Sequence, residues 1–188
     1  RKGSAFDQYW QFQERSFESG SGRIATLFTN LTWDTAVIDR DLAFDDIQEW
    51  IMAAINAFSE RPQHHLIIRV HPSELHLPGK VTRDSLSGFI HRTFPRLPAN
   101  VTVLEPDDLT SSYPLMDASD VGLVYTSTTG LELALGGTPV IVAGETHYRG
   151  KGFTVDVSSP VDFERALDEA LADPTSLPVD VARARRYA

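Results

Sequence analysis

"VYTSTTGLELALGGTPVIVAG", residues 124–144, changes character three times. It opens like a buried β-strand and then sets four hydroxyl residues in a row, Thr126, Ser127, Thr128 and Thr129, followed by Gly130. A short helical stretch ends at Gly136 and Gly137, and a second β-branched run begins. Strand, tight turn, helix and strand together make a βαβ unit, whose two strands lie parallel and whose crossover is right-handed.

The same alternation extends in both directions. Short β-branched runs recur at "RIATLF" (23–28), "HHLIIRV" (64–70), "VTVL" (101–104), "VGLVY" (121–125), "TPVIV" (138–142) and "FTVDV" (153–157). Several are apolar at consecutive positions, the pattern of strands covered on both faces. Phe44, Ile47, Trp50, Ile51, Ala54, Ile55 and Phe58 repeat at helical spacing and predict a helix over 44–59, with Asp45 and Asp46 at the positive end of its dipole. A second helix is predicted over 160–172. Ser159 would be its N-cap and Pro160 its first residue, Val161, Ala166, Leu167, Ala170 and Leu171 its apolar stripe, and Asp173-Pro174 its stop. The fold class is therefore α/β, an open, doubly wound, mainly parallel Rossmann-like sheet with helices on both faces. The domain is read as residues 22–175. It is preceded by a helix within 1–21 that is core or interdomain in character (Phe6, Tyr9, Trp10, Phe12, Phe17) and followed by a tail or helix at 176–188.

The chain has 188 residues, 41% hydrophobic and 23% charged, enough for one ordinary core. A formal net charge of -9 argues against a nucleic-acid partner and leaves room only for a local phosphate pocket. The absence of cysteine excludes disulfides and thiolate metal sites and fits a reducing compartment. No apolar run approaches the roughly 20 residues a transmembrane helix needs. The opening "RKGSAF" has no initiator Met and no signal-peptide core, which reads as part of a longer protein.

In open α/β sheets ligands bind beyond the carboxyl ends of the strands, so the loops to inspect are "TNLTWD", "HPSE", "EPDD", "TSTTG" and "GETHYRG". The connection 72–84, long and without its own pattern, is a candidate functional loop. A helix N-terminus offers unpaired N–H groups and partial positive charge, so Thr126 to Gly130 can wrap a phosphate with side-chain and main-chain donors. The alternative is ordinary capping, for which one hydroxyl suffices. Glu132, on the helix that follows, is either an acceptor for ribose hydroxyls or a solvated helix residue. His71 ends a strand and is turned by Pro72, which fixes its backbone. Its imidazole can donate to a phosphate oxygen, and a bound dianion would favour its cation; otherwise it only terminates the strand. No metal site is expected, because His64 and His65 point to opposite faces, His71 and His76 lack a carboxylate pattern, and H-E-x-x-H is absent. Neither G-x-x-x-x-G-K-[ST] nor G-x-G-x-x-G occurs, and "GLELALGG" is not a nucleophile elbow, since Glu132 stands where a serine would be needed.

The ordered set "LFTNLTWD", "IIRVHP", "EP", "DVGLVYTSTTGLELALGGTPVIVAG" and "HYRGKGFT" resembles the donor-binding half of bacterial capsule polysaccharide biosynthesis glycosyltransferases, the family with the β-Kdo transferases and the GT-B architecture. The resemblance covers residues 22–157. It implies a nucleotide-sugar donor, a CMP-sugar such as CMP-Kdo, with no further cofactor. His71 and Pro72, with Ser127, Thr128 and Thr129, would contact the phosphate, Glu132 the ribose, and Glu105 and Pro106 the base through the backbone. A GT-B active site lies between two domains, so the resemblance also implies that the catalytic residues and the site for a glycan or glycolipid acceptor belong to a second domain, and that this chain alone is inactive. It places the protein in the cytoplasm, peripheral to the inner membrane. Two other functions share these features: a nucleotide-sugar 2-epimerase-like domain, and a non-catalytic recognition module in polysaccharide assembly or export.

Overall fold

A computed structural model describes residues 22–31, 40–74 and 85–188. Six strands form one parallel sheet: β1 Ile24–Phe28, β2 His65–Arg69, β3 Val101–Leu104, β4 Val121–Val124, β5 Val140–Val142 and β6 Val155–Asp156. Their order is β3-β2-β1-β4-β5-β6. The chain thus builds outward from β1 in one direction, returns, and builds outward in the other, leaving a topological switch point between β1 and β4. The described helices are α1 Ile47–Ser59, α2 Leu86–Thr93, α3 Ser112–Ala118, α4 Thr129–Gly136, α5 Pro160–Ala172 and α6 Val181–Tyr187.

Consecutive apolar residues in the strands feed two cores. Leu66 and Ile68 of β2 join Trp50, Ile51, Phe58, Phe163 and Leu167 on the face covered by α1 and α5. Ile67, between them, joins Leu104, Val124, Leu133, Tyr148 and Phe153 on the other face. That is the two-sided burial expected of a doubly wound sheet.

The helix predicted over 44–59 starts at Ile47 instead. Asp46 is its N-cap and accepts from the Glu49 N–H at 2.8 Å, while Glu49 Oε2 accepts from the Asp45 N–H at 2.7 Å. Aspartate is a better cap than an interior residue, so Asp45 and Asp46 lie outside the first turn and Glu49 is the acid within it. Phe44 packs ahead of the helix, edge-on to Phe163 at 5.5 Å. Helix α5 runs as expected from Ser159 to Asp173, but Val161 is 75% exposed and Phe163 takes the inward position. Phe163, Ala166, Leu167, Ala170 and Leu171 follow the i, i+3, i+4, i+7, i+8 stripe, and Val161 falls off it. The sixth strand is shorter than "FTVDV", being paired only at Val155 and Asp156. In the 72–84 connection, Pro72–Glu74 forms one turn of 3₁₀-helix. The helix expected within 1–21, the rest of that connection and residues 32–34 of "TNLTWD" lie outside the described residues.

Candidate functional site

The strand register aligns one edge of the sheet. Phe28 pairs with Arg69 and Val124, Arg69 with Leu104, Val124 with Val142, and Val142 with Asp156. Two residues beyond that row stand Asn30, His71, Pro106, Thr126 and Gly144. With strands about 4.8 Å apart, the His71 and Thr126 backbones are separated by about 10 Å, and those of Pro106 and Thr126 by about 14 Å. Hydrogen bonds fasten the row together. Asn30 Oδ1 accepts from the Thr126 N–H at 3.2 Å, and Thr29 Oγ1 accepts from the His71 N–H at 3.0 Å. The end of β1 therefore holds the loops after β2 and β4 on either side of the switch point.

The hydroxyl row divides into unlike roles. Ser127 Oγ caps α4, accepting from the Thr129 N–H at 3.2 Å and donating to Thr129 Oγ1 at 3.0 Å. Thr128, at the N-cap position, is exposed and makes no side-chain cap bond. Thr126 is 7% exposed, and its hydroxyl is buried without a hydrogen-bond partner among the described residues. Such an orphan costs about 1–3 kcal/mol unless something pairs with it. The Gly130 N–H donates back to the Ser127 carbonyl at 3.3 Å. Glu132 falls in the first turn of α4 and is exposed. The helix ends as the sequence indicates, on Gly137 in the left-handed conformation at φ 90.

Beneath the turn lies Tyr148, 0% exposed, whose hydroxyl donates to the Ser127 carbonyl at 2.5 Å. Burial pushes its phenol well up, so it remains a protonated donor.

On the other side, His71 Nδ1 accepts from the Ser73 N–H at 3.1 Å, which in the neutral ring leaves the proton on Nε2. The loop is anchored by Glu74, 7% exposed, whose Oε1 accepts from the Leu86 N–H at 2.6 Å at the start of α2. Burial pushes the Glu74 carboxyl up; the Leu86 and Ser87 N–H groups pull it back, and the Glu105 charge adds to the rise. A folded-state value above the unfolded one means the folded chain holds its proton to higher pH. Folding is therefore favoured by this group below the unfolded value and loses that contribution as pH rises through the folded one. Glu74→Gln, neutral throughout, should remove this dependence. The stability of the parent relative to the variant should fall as pH is raised through the carboxylate range in urea titrations; a constant or rising difference would contradict the assignment.

The third wall comes from the loop after β3. Pro72 and Ser73 face Pro106, Asp107, Asp108 and Leu109 across a cleft of about 310 Å³. Leu109 is fully exposed at its rim. Arg69, at the end of β2, shapes this loop by donating to the carbonyls of Glu105 at 2.7 Å and Asp108 at 3.1 Å. The Glu105 carboxylate is engaged with Ser87 Oγ and His91 Nε2 on α2. Of the Glu105-Pro106 pair it is therefore Pro106 that lines the cleft. The other arginines at this edge also serve the backbone: Arg149 donates to the carbonyls of Val142, Gly144 and Val157, and Arg40 to that of Glu145.

The structure thus sets His71, Pro72, Pro106 and Thr126 to Gly130 along one edge and turns the Glu105 side chain away. Thr29, Asn30, Arg69, Glu74 and Tyr148 were not singled out by the sequence reading. Asn30 and Thr29 had a usable signal, since they follow β1 at the offsets that His71 and Val70 have after β2. Tyr148 had none, because its partner is a main-chain carbonyl distant in sequence.

The sequence profile of a family described as "Capsule polysaccharide biosynthesis protein" matches residues 8–173. No curated protein matches the chain. Among solved structures, a β-Kdo 2,7 transferase, KpsC of Thermosulfurimonas dismutans, is similar at TM-score 0.52 and 16% identity, covering 86% of this chain and 52% of that one. The MnaA protein of S. aureus, solved with UDP, is similar at TM-score 0.57 and 14% identity, covering 100% of this chain and 47% of that one. UDP-GlcNAc 2-epimerase from Neisseria meningitidis, bound to UDP-GlcNAc, has TM-score 0.56 and 12% identity, covering 97% and 50%. At these identities the likeness establishes the fold, and this chain spans about half the length of each of the three.

Proposed function

The chain belongs to the capsule polysaccharide biosynthesis protein family, and from that premise we propose that it is the donor-binding half of a glycosyltransferase that uses a nucleotide sugar. One observation carries the reading: the aligned strand ends at the switch point set the α4 N-terminus, with the Thr126 hydroxyl that has no partner among the described residues, on one side of β1 and His71 with the Pro72 to Leu109 cleft on the other. The proposed pose lays the nucleotide across that edge. Its phosphate would meet Thr126, Ser127, Thr128, Thr129 and Gly130, with His71 beside it, its base would lie in the cleft near Pro106, and its ribose would come within reach of Glu132.

In sugar transfer the bond from the anomeric carbon to the phosphate oxygen breaks and a bond to an acceptor hydroxyl oxygen forms. The acceptor proton passes to a base, and the departing phosphodiester becomes a monoester with one more negative charge. Donors at the α4 N-terminus and His71 Nε2 would stabilise that growing charge, lowering the barrier as well as holding the donor. The acceptor, a glycan or glycolipid, and the base would belong to a second domain, with the assembly working at the cytoplasmic face of the inner membrane.

The charge inventory favours a CMP-sugar. Among the described residues, Arg40, Arg69 and Arg149 donate to backbone carbonyls, which leaves neutral hydroxyls, main-chain N–H groups and the His71 imidazole as the described donors toward the phosphate. Such a set suits a single phosphodiester charge better than a pyrophosphate. Calorimetric titration with CMP, UDP, GDP and TDP tests this: CMP should bind most tightly. Preferential UDP binding would move the assignment toward a 2-epimerase-like domain, and no binding at all toward a recognition module.

A further inference from the structure

We propose that Tyr148 is a positioning residue that aims the Thr128 N–H at the donor phosphate, an inference that rests on the nucleotide reading of this edge. The Tyr148 hydroxyl donates to the Ser127 carbonyl from within the core, and no peptide bond among the described residues is cis. In a trans peptide the N–H and C=O of the shared unit point in opposite directions. Drawing the Ser127 carbonyl down toward Tyr148 therefore turns the Thr128 N–H outward, past the first turn of α4, where the helix concentrates its partial positive charge. The Gly130 N–H, donating to the same carbonyl, reinforces that orientation.

The tyrosine is itself held on several sides. Its ring stacks on Phe153 at 6.2 Å and meets His147 edge-on at 5.1 Å. His147 in turn is clamped by α6, whose Tyr187 stacks on its ring at 5.8 Å and donates to its carbonyl at 2.6 Å. Gly130 has no Cβ, which lets the Tyr148 hydroxyl approach the turn from below. Within HYRGKGFT, Tyr148 thereby acts on the direction of a main-chain donor from inside the core.

The test compares CMP with cytidine, which differ only by the phosphate, by calorimetry on the parent, Tyr148→Phe and Phe153→Leu. Tyr148→Phe keeps the ring and removes the hydroxyl. It should bind CMP about tenfold more weakly and cytidine equally well, so that the ratio of the two dissociation constants shrinks about tenfold. Amide exchange at Thr128 to Leu131 should quicken without a matching fall in the urea midpoint. Phe153→Leu loosens the same cluster without touching the hydroxyl; it should lower the midpoint and leave the ratio unchanged. An unchanged ratio in Tyr148→Phe, or an equal loss of CMP and cytidine, would overturn the proposal. If the parent itself holds CMP no better than cytidine, the phosphate site is wrong and the proposal falls with it, a result recognisable because it appears before any substitution.

Discussion

Gly130→Ala is expected to destabilise the protein by about 2–6 kcal/mol and to abolish measurable nucleotide binding. In an exposed helix this exchange stabilises by about 1 kcal/mol, because glycine is the more costly residue to order. Here the sign reverses. An added Cβ would collide with the Tyr148 hydroxyl and lie 3.0 Å from both Tyr148 Cζ and Val124 Cγ2. Neither neighbour can yield easily, since Tyr148 and Val124 are each 0% exposed. Overpacking costs about 1–3 kcal/mol, and a displaced, unpaired Tyr148 hydroxyl costs about 1–3 kcal/mol more. Gly136 provides the control: it ends the same helix and has nothing within 4 Å of its Cβ position. Gly136→Ala should therefore be neutral or stabilising by up to about 1 kcal/mol. Urea denaturation of the two variants decides the matter, and equal effects would mean that the close approach of Tyr148 is not what fixes glycine at 130.

His71→Ala is expected to weaken CMP binding by about one to two orders of magnitude while leaving stability nearly unchanged. A hydrogen bond to a charged group is worth about 1.5–3 kcal/mol, which sets the range. The ring accepts the Ser73 N–H through Nδ1, which in the neutral ring puts the proton on Nε2 and fixes the ring's direction by a main-chain bond. The loop keeps its Thr29 tie after truncation, because that bond uses the His71 backbone N–H. Leu66→Ala, in β2 at 0% exposure, should behave oppositely, costing about 2–5 kcal/mol of stability with an unchanged dissociation constant in the folded protein. If His71→Ala binds CMP as well as the parent does, the histidine is a strand terminator and the phosphate is held by the α4 turn alone.

What was legible in the sequence follows from where the signals are local. The β-branched runs located all six strands; in β1, β2, β4 and β5 every position is buried, which leaves little polar alternation to confuse the reading, and the 121–142 unit indicated the parallel topology. Ser159 and Pro160 marked the start of α5 because capping is a property of adjacent residues. The start of α1 was misplaced by three residues for a related reason: Phe44 fits the helical period, yet it is buried by the turn before the cap, and only the Asp46 to Glu49 bond distinguishes the two. At the site, the hydroxyl row and His71 were visible as strand-end chemistry. Their supports were not. Tyr148 acts on the Ser127 carbonyl from 21 residues away, and Arg69 acts on carbonyls 36 and 39 residues away. Glu74 was read only as part of a loop, although its buried carboxylate fastens that loop to α2. Main-chain acceptors have no sequence signature, so residues that serve them emerge only once the fold brings them together.

The most direct test of the nucleotide reading is a crystal structure of the protein grown with CMP. The account predicts phosphate oxygens within hydrogen-bond distance of the Thr128 N–H and the Ser127 to Thr129 hydroxyls, with His71 Nε2 alongside and the base between Pro72 and Leu109. Nucleotide bound on another edge of the sheet, or seated in the cleft with its phosphate turned away from the α4 N-terminus, would contradict it.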